Sequence, residues 1–335
     1  MNKKIFFYLV IKVRVFLFFT ILLFLISINF QCKKNNDKEI EINSIPIEIS
    51  FNRFDQKFYN TDSFKLKDLK KKYYYLFPEH FDDSVWINRR KDTLQLLLKG
   101  AVEKELMNLN HVKNEINHLF KHIKHSFPKT TVPKIITLIN NVDYQTKIIF
   151  LDTLILLSLD TYLGKHHVLY EGIPDYIRND MDVSYLPSHI VDKFLTKKID
   201  YPLERTFLSQ MIYYGKKLYL TDVLLPHETD SIKIVYTKQE LKWSESNELY
   251  IWKYFIEKEL LYKTDPEIIR RFIDPSPFSK FYLEIDNQSP GRIGRWIGWQ
   301  IVRSYMKKNP DTNIQDLIAK SSQKLFVESG YKPKL

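Results

Sequence analysis

VPKIITLINNV (residues 132–142), IIFL (148–151) and LILLSL (154–159) decide the fold class. These are short runs of Ile, Leu and Val, separated by Asp143 and Asp152. Apolar runs of this length, bounded by turn residues, read as strands rather than helices. They predict a small sheet of about three strands near residues 132–160, with one hairpin turning at Asp152-Thr153. Working outward, the period changes on both sides. Upstream, residues 63–77 read as a helix closed by Pro78. Residues 92–127 read as one long helix with Leu96, Leu97, Val102, Leu106, Leu109 and Leu119 at its apolar positions. FNRFDQKFY (51–59) is expected to pack on the domain edge. After Gly164, helices are expected over 187–196, 202–225, 239–263, 266–272, 290–308 and 314–325. Several carry proline in the first turn, where a missing N–H costs nothing. The result is a predominantly helical α+β chain, a single domain over 51–335 without repeats or an internal linker.

Composition supports a folded globular chain. It has 335 residues, 44% apolar and 27% charged. Aromatics reach 15%, with 23 Phe and 21 Tyr, enough for a large core or for grooves lined by rings. Only eight glycines are present, and no GxGxxG or GxxxxGK[ST] string occurs, which argues against a phosphate-cradling loop. Cys32 is the one cysteine, so an intramolecular disulfide and a cysteine zinc site are excluded. The net charge is +11, spread along the chain; it favours acidic partners or anionic membrane surfaces only weakly, and no nucleic-acid partner is expected.

The N-terminal segment has the order of an export signal. Lys3, Lys4, Lys12 and Arg14 precede an apolar stretch over 15–30, then Gln31-Cys32 and a polar run. Residues 1–31 are read as a signal peptide, Cys32 as the acylated residue, and 32–50 as a tether. Asn29, Phe30 and Gln31 are larger than the small residues usual before such a cysteine. The alternative is an uncleaved anchor helix, which Lys12 and Arg14 disfavour at about 3 kcal/mol each at a bilayer centre.

Three segments carry candidate chemistry. His111, His118, His122 and His125 form a stripe on one helix face, but Leu119 follows His118 where a zincin has glutamate, and lysines surround the stripe. A solvated polar face is the expectation there. His166-His167 are adjacent and point in different directions, which disfavours joint chelation; the turn from Tyr170 to Tyr176 is rich in tyrosine and reads either as a ligand groove or as a packed loop. SPGRIGRWIGWQIVRSYM (289–306) places Gly291, Gly294 and Gly298 on one side of a helix capped by Ser289 and opened by Pro290. Glycine costs about 1 kcal/mol in a helix interior, so close backbone packing is expected on that side. Arg292, Arg295, Trp296, Trp299 and Arg303 are assigned to the other side, to meet either acids of this chain or an external partner.

FNRFDQKFY (51–59), YLFPEHFDDSVW (75–86), FLDTLILLSLDTYLGKHH (150–167), MIYYGKKLYLTDVLLP (211–226) and PGRIGRWIGWQIVRSYM (290–306) together resemble GldB, the gliding-motility lipoproteins of the Bacteroidetes. The resemblance implies a lipid-anchored envelope protein facing the periplasm, with gliding or type IX secretion proteins as partners. GldB-like chains are also similar to predicted HExxH zinc peptidases, which implies a zincin-like domain. On that comparison His189 is followed by Ile190 and, four residues on, by Lys193, while Tyr214 before Gly215 stands at the third-ligand position. A catalytic zinc needs three protein ligands. No catalytic residue, metal or cofactor is therefore expected; Tyr170, Tyr176, His189 and Tyr214 are assigned to a possible groove. The rivals are a metallopeptidase using His166, His167, His189 or His227, and a lipoprotein binding a glycan or peptide.

Overall fold

The computed structural model describes residues 39–284 and 286–333. The chain divides into two compact units, residues 1–47 and 48–335. Of the first, residues 39–44 are helical, within the stretch read as a tether. The second carries the sheet and the main helices. Cys32 and the signal segment lie outside the described residues.

Four strands, β1 (Phe51–Asn52), β2 (Lys134–Leu138), β3 (Ile148–Phe150) and β4 (Leu154–Ser158), form one sheet in the order β1-β2-β4-β3. β2 runs parallel to both neighbours, with Ile135 opposite Phe51 and Ile155. β3 and β4 form the expected hairpin, Ile149 opposite Leu156, and the Leu151 N–H donates to the Leu154 carbonyl at 2.7 Å across Asp152-Thr153. Ile135, Ile136 and Thr137 are consecutive and all buried, so both faces of β2 are covered. β1 was not foreseen, because two residues carry no alternation to read. The segment it opens is also more than an edge. Phe54 and Phe58 sit in an aromatic cluster with Tyr73 and Phe77; the Phe54 and Tyr73 rings are 4.9 Å apart.

The main helices are α1 (Phe54–Asn60), α2 (Thr93–Glu105), α3 (Asn110–Ser126), α4 (Leu186–Thr196), α5 (Phe207–Leu224), α6 (Lys238–Glu257), α7 (Ile293–Lys308) and α8 (Ser322–Ser329). Residues 92–127 are thus two helices, not one. Leu106 and Leu109 are both buried at the break. Arg53 Nη1 donates to the Leu106 carbonyl at 3.2 Å, and the Asn108 side chain accepts from the Asn110 N–H at 2.9 Å. Side chains therefore satisfy backbone groups left open by the two helix ends. Residues 314–325 are likewise broken, into Ile314–Ala319 and α8. Lys216 Nζ donates to the Ile318 and Lys320 carbonyls there, at 2.8 and 2.6 Å. Residues 63–77 hold only Leu66–Lys72 as α-helix, between two short 3-10 turns.

α5 and α7 meet backbone to backbone. A Cβ at Gly215 would strike the Gly298 carbonyl, and a Cβ at Gly298 the Met211 carbonyl. At Gly294 it would lie 2.9 Å from the Phe272 carbonyl and from Ile273 Cδ1. The glycine side of the segment is buried as read. The start of the helix is not. Ser289 does not cap it; its hydroxyl donates to the Asp286 carbonyl at 2.7 Å. α7 begins at Ile293, whose N–H donates to Ser279 Oγ at 3.2 Å, with Arg292 left-handed at φ 62° before it.

Candidate functional site: a polar cavity beside the edge strand

A cavity of about 510 Å³ opens beside β3. Ile148 contributes the strand edge, Tyr176 and Asp180 the turn region after Gly164, and His189 and Lys193 helix α4. Arg292 closes it from the start of α7. Sequence-distant segments meet here because β3 is the outer strand and the helices following it pack back against that edge.

His189 is the centre of its polar wall. Its Nε2 lies 3.0 Å from Asp180 Oδ2 and its Nδ1 2.9 Å from the Tyr162 hydroxyl. A carboxylate only accepts, so Nε2 carries the proton. In the neutral ring Nδ1 then accepts from the phenol; in the imidazolium Nδ1–H donates to the phenol oxygen. Burial raises the Tyr162 phenol well above its usual value, which keeps that donor protonated. Asp180 also pairs with Lys147. Burial works to raise the Asp180 carboxyl, but the hydrogen bond and charge of His189, together with Lys147, outweigh it and hold the carboxyl far below the usual range. Both ring nitrogens of His189 are therefore engaged by protein groups. As the ring stands, neither offers a lone pair to a metal.

Other candidates fall elsewhere. The Tyr170 hydroxyl is buried, donates to the Asp160 carbonyl and accepts from the Leu163 N–H, both at 2.8 Å. It holds a turn and does not line this cavity. Tyr214 packs under Arg295, whose guanidinium carbon is 3.9 Å from the ring centroid. Of the four residues assigned to a groove, only Tyr176 and His189 reach the cavity. His166 and His167 line a neighbouring depression, and His167 Nδ1 accepts from the Leu169 N–H at 3.2 Å. His227 lies beside His118, ring centroids 5.9 Å apart. The histidines of the rival ligand set are thus not assembled at one point. The stripe on α3 is not wholly solvated either: His122 is buried, its ring 4.7 Å from that of His118.

On the Arg/Trp side of α7 the structure gives contacts within the chain, the first of the two readings, in place of an exposed partner-binding face. Trp296 and Trp299 are buried, at 2% and 0% exposure. Trp299 Nε1 donates to Asp222 at 3.0 Å. Arg303 makes paired hydrogen bonds to both Asp222 and Asp230, at 2.6–2.9 Å. Arg295 Nε donates to the Ile273 carbonyl at 2.7 Å. These four groups meet their own chain, because α7 is covered on both sides. Arg292 alone of the five reaches the cavity. The cavity residues Lys147, Asp180 and Lys193 were not assigned to it from the sequence. An isolated Asp or Lys carries no periodic signal, and only the tertiary contacts bring these together.

The fold and this site define a helix-rich α+β domain with a polar cavity set against its edge strand. Among the described residues no helix is long and apolar enough to cross a membrane. The chain belongs to the family of gliding motility protein GldB, whose model matches residues 35–333. Membership marks it as a gliding-motility lipoprotein, a membrane-anchored envelope protein. Neither a curated protein nor a solved structure matches it.

Proposed function

We propose that the protein is a non-catalytic component or assembly factor of the gliding and type IX secretion machinery. It is held by acyl chains on Cys32 and faces the periplasm. Several chains, each adding about 0.8 kcal/mol per buried CH2, suffice for stable anchoring. The order of sheet followed by helices fits a zincin-like plan without its metal centre. The observation that carries the non-catalytic reading is the engagement of both His189 nitrogens, by Asp180 and Tyr162. Ile190, buried in the core, and Lys193 and Tyr214 stand where that plan needs a general base and two further ligands.

Two measurements test this reading. Cys32→Ala should abolish labelling by radioactive palmitate and leave an immature precursor; equal label in variant and parent defeats the lipid anchor. The full chain, purified in detergent, should carry no stoichiometric zinc, and chelators should leave its Tm unchanged. One tightly bound zinc per chain, lost on His189→Ala, defeats the non-catalytic reading.

A further inference from the structure

We propose that the cavity binds a small carboxylate-bearing ligand, with the Arg292 guanidinium and the Lys193 ammonium as its anion receptors. The volume, about 510 Å³, is in the range of small-molecule sites. The charges along its walls differ in whether they are already engaged.

Three carboxylates and three cations line the cavity: Asp180, Asp192 and Glu240 against Lys147, Lys193 and Arg292. Every carboxylate has a partner within the chain. Asp180 holds Lys147 and His189. Asp192 pairs with Lys217 at 2.6 Å. Glu240 Oε2 accepts from the Thr237 N–H at 2.7 Å, as part of a capping box on α6. Among the cations, only Lys147 is answered by an acid. Among the described residues, Lys193 and Arg292 have no carboxylate within salt-bridge distance. Arg292 directs one nitrogen, Nη2, to the Val235 carbonyl at 2.9 Å. A guanidinium has five N–H donors, so most of its fork is left for a ligand. Glu240 has no basic partner either, but it stands against two cations, Lys193 and Arg292, and Lys217 answers Asp192 from outside the lining, so the site is left with positive charge in excess.

The backbone supports the same residues. Arg292 and Val235 are both left-handed, at φ 62° and 60°, and the hydrogen bond between them joins these two unusual positions on one wall. A β-branched residue in that region is a genuine outlier, and such conformations concentrate at binding sites. The Arg292 guanidinium also lies over the Tyr236 ring, 5.6 Å from its centroid, which orients the fork.

Carboxylate fits better than phosphate. The planar guanidinium matches a carboxylate in a bidentate pair. The three acids on the same walls disfavour a dianion far more than a monoanion. Tyr176 and Ile148 line the same cavity and give the body of the ligand apolar surface to pack on. The inference goes beyond the proposed role in gliding and stands for a catalytic or a non-catalytic protein, since it concerns binding alone.

The test uses the full lipoprotein in detergent and isothermal titration calorimetry with four probes: acetyl-alanyl-alanine, its C-terminal amide, glucuronate and inorganic phosphate. At least one carboxylate probe should bind, with affinity falling as salt rises, and the amide should not. Binding of the peptide acid alone places the carboxylate on a peptide end; binding of glucuronate alone places it on an acidic sugar. Lys193→Gln should weaken binding roughly tenfold and Arg292→Gln more. Lys193 is exposed, so its variant keeps the test decisive if Arg292→Gln misfolds. Four results overturn the proposal: equal binding of acid and amide, phosphate binding tighter than either carboxylate, a folded Lys193→Gln that binds like the parent, or no binding of either carboxylate at about 10 mM.

Discussion

Among the ionic contacts that hold the helices of this domain, two networks differ, one closed and one open. In the closed network Asp222 accepts from Arg303, Lys233 and Trp299, and Asp230 takes the other side of the Arg303 guanidinium. Acids and bases there answer one another. In the open network Asp180 holds His189 and Lys147, and the wall continues to Arg292 and Lys193, which among the described residues have no carboxylate within salt-bridge distance. The first fastens α7 to α5 and to the segment after it. The second sits where α4, the strand edge and the start of α7 leave space between them. A network that closes on itself reads as structure. One that leaves cations facing a cavity reads as a site.

The sharpest way to break the closed side is at the glycine contact beneath it. Gly298→Leu would drive a side chain into the Met211 backbone, which cannot rotate away. Overpacking typically costs about 1–3 kcal/mol, and a backbone contact belongs at or above the top of that range. The expected result is little folded protein, seen as loss of a cooperative thermal transition. A variant that melts with the parent would mean that α5 and α7 do not meet at this contact.

Asp222→Ala should come next. It leaves the Trp299 N–H without its acceptor, and Lys233 and Arg303 to share Asp230, which lies 3.9 Å from the Lys233 ammonium. Breaking a buried pair on one side typically costs about 3–5 kcal/mol; partial exposure of Arg303 and the surviving Asp230 bring the expectation to roughly 3 kcal/mol. Urea unfolding measures it. A loss below about 1 kcal/mol would remove the distinction between the two networks.

The smallest effect compares two aspartates by pH. The Asp180 carboxyl is held below its ordinary range despite burial, so its contribution is present above about pH 4 and is lost as pH falls toward its folded pKa. Asp160 behaves oppositely. Burial raises its carboxyl from 3.8 to about 6, although the Val142 and Asn140 N–H groups favour the charged form. The folded state then holds a proton that the unfolded state has released, and stability falls as pH rises from about 4 to about 6. Asp180→Asn should flatten the acid side of the stability profile, and Asp160→Asn the slope between pH 4 and 6. Urea midpoints across pH 3–7 would show both. Slopes unchanged by either variant would sink the assignment.

The hairpin was legible because apolar runs of four to six residues bounded by aspartates have no other economical reading. The close packing around the glycines of residues 291–298 was legible for a similar reason: three of the eight glycines in one stretch read as helical demand a close neighbour. The breaks at 106–109 and 320–321 were hidden. The apolar period runs through them, and the groups that satisfy the interrupted carbonyls, Arg53 and Lys216, come from far along the chain. The Arg/Trp side of α7 stayed open between its two readings for a related reason. A helix wheel separates faces but does not say whether both are covered, and in a central helix they are.

Sequence alone determined the α+β class, the position of the hairpin, the burial of the glycine side and the family, since each rests on local pattern or on long matching strings. Tertiary structure decided which charges remain unanswered. Asp222 and Arg303 are 81 residues apart, and the Arg292 and Lys193 that share the cavity wall are also far separated in the chain. Whether an ionic group stabilises the fold or waits for a ligand depends on the partner that folding brings within about 4 Å, where Coulombic attraction and hydrogen bonding become strong. No spacing along the chain encodes that distance.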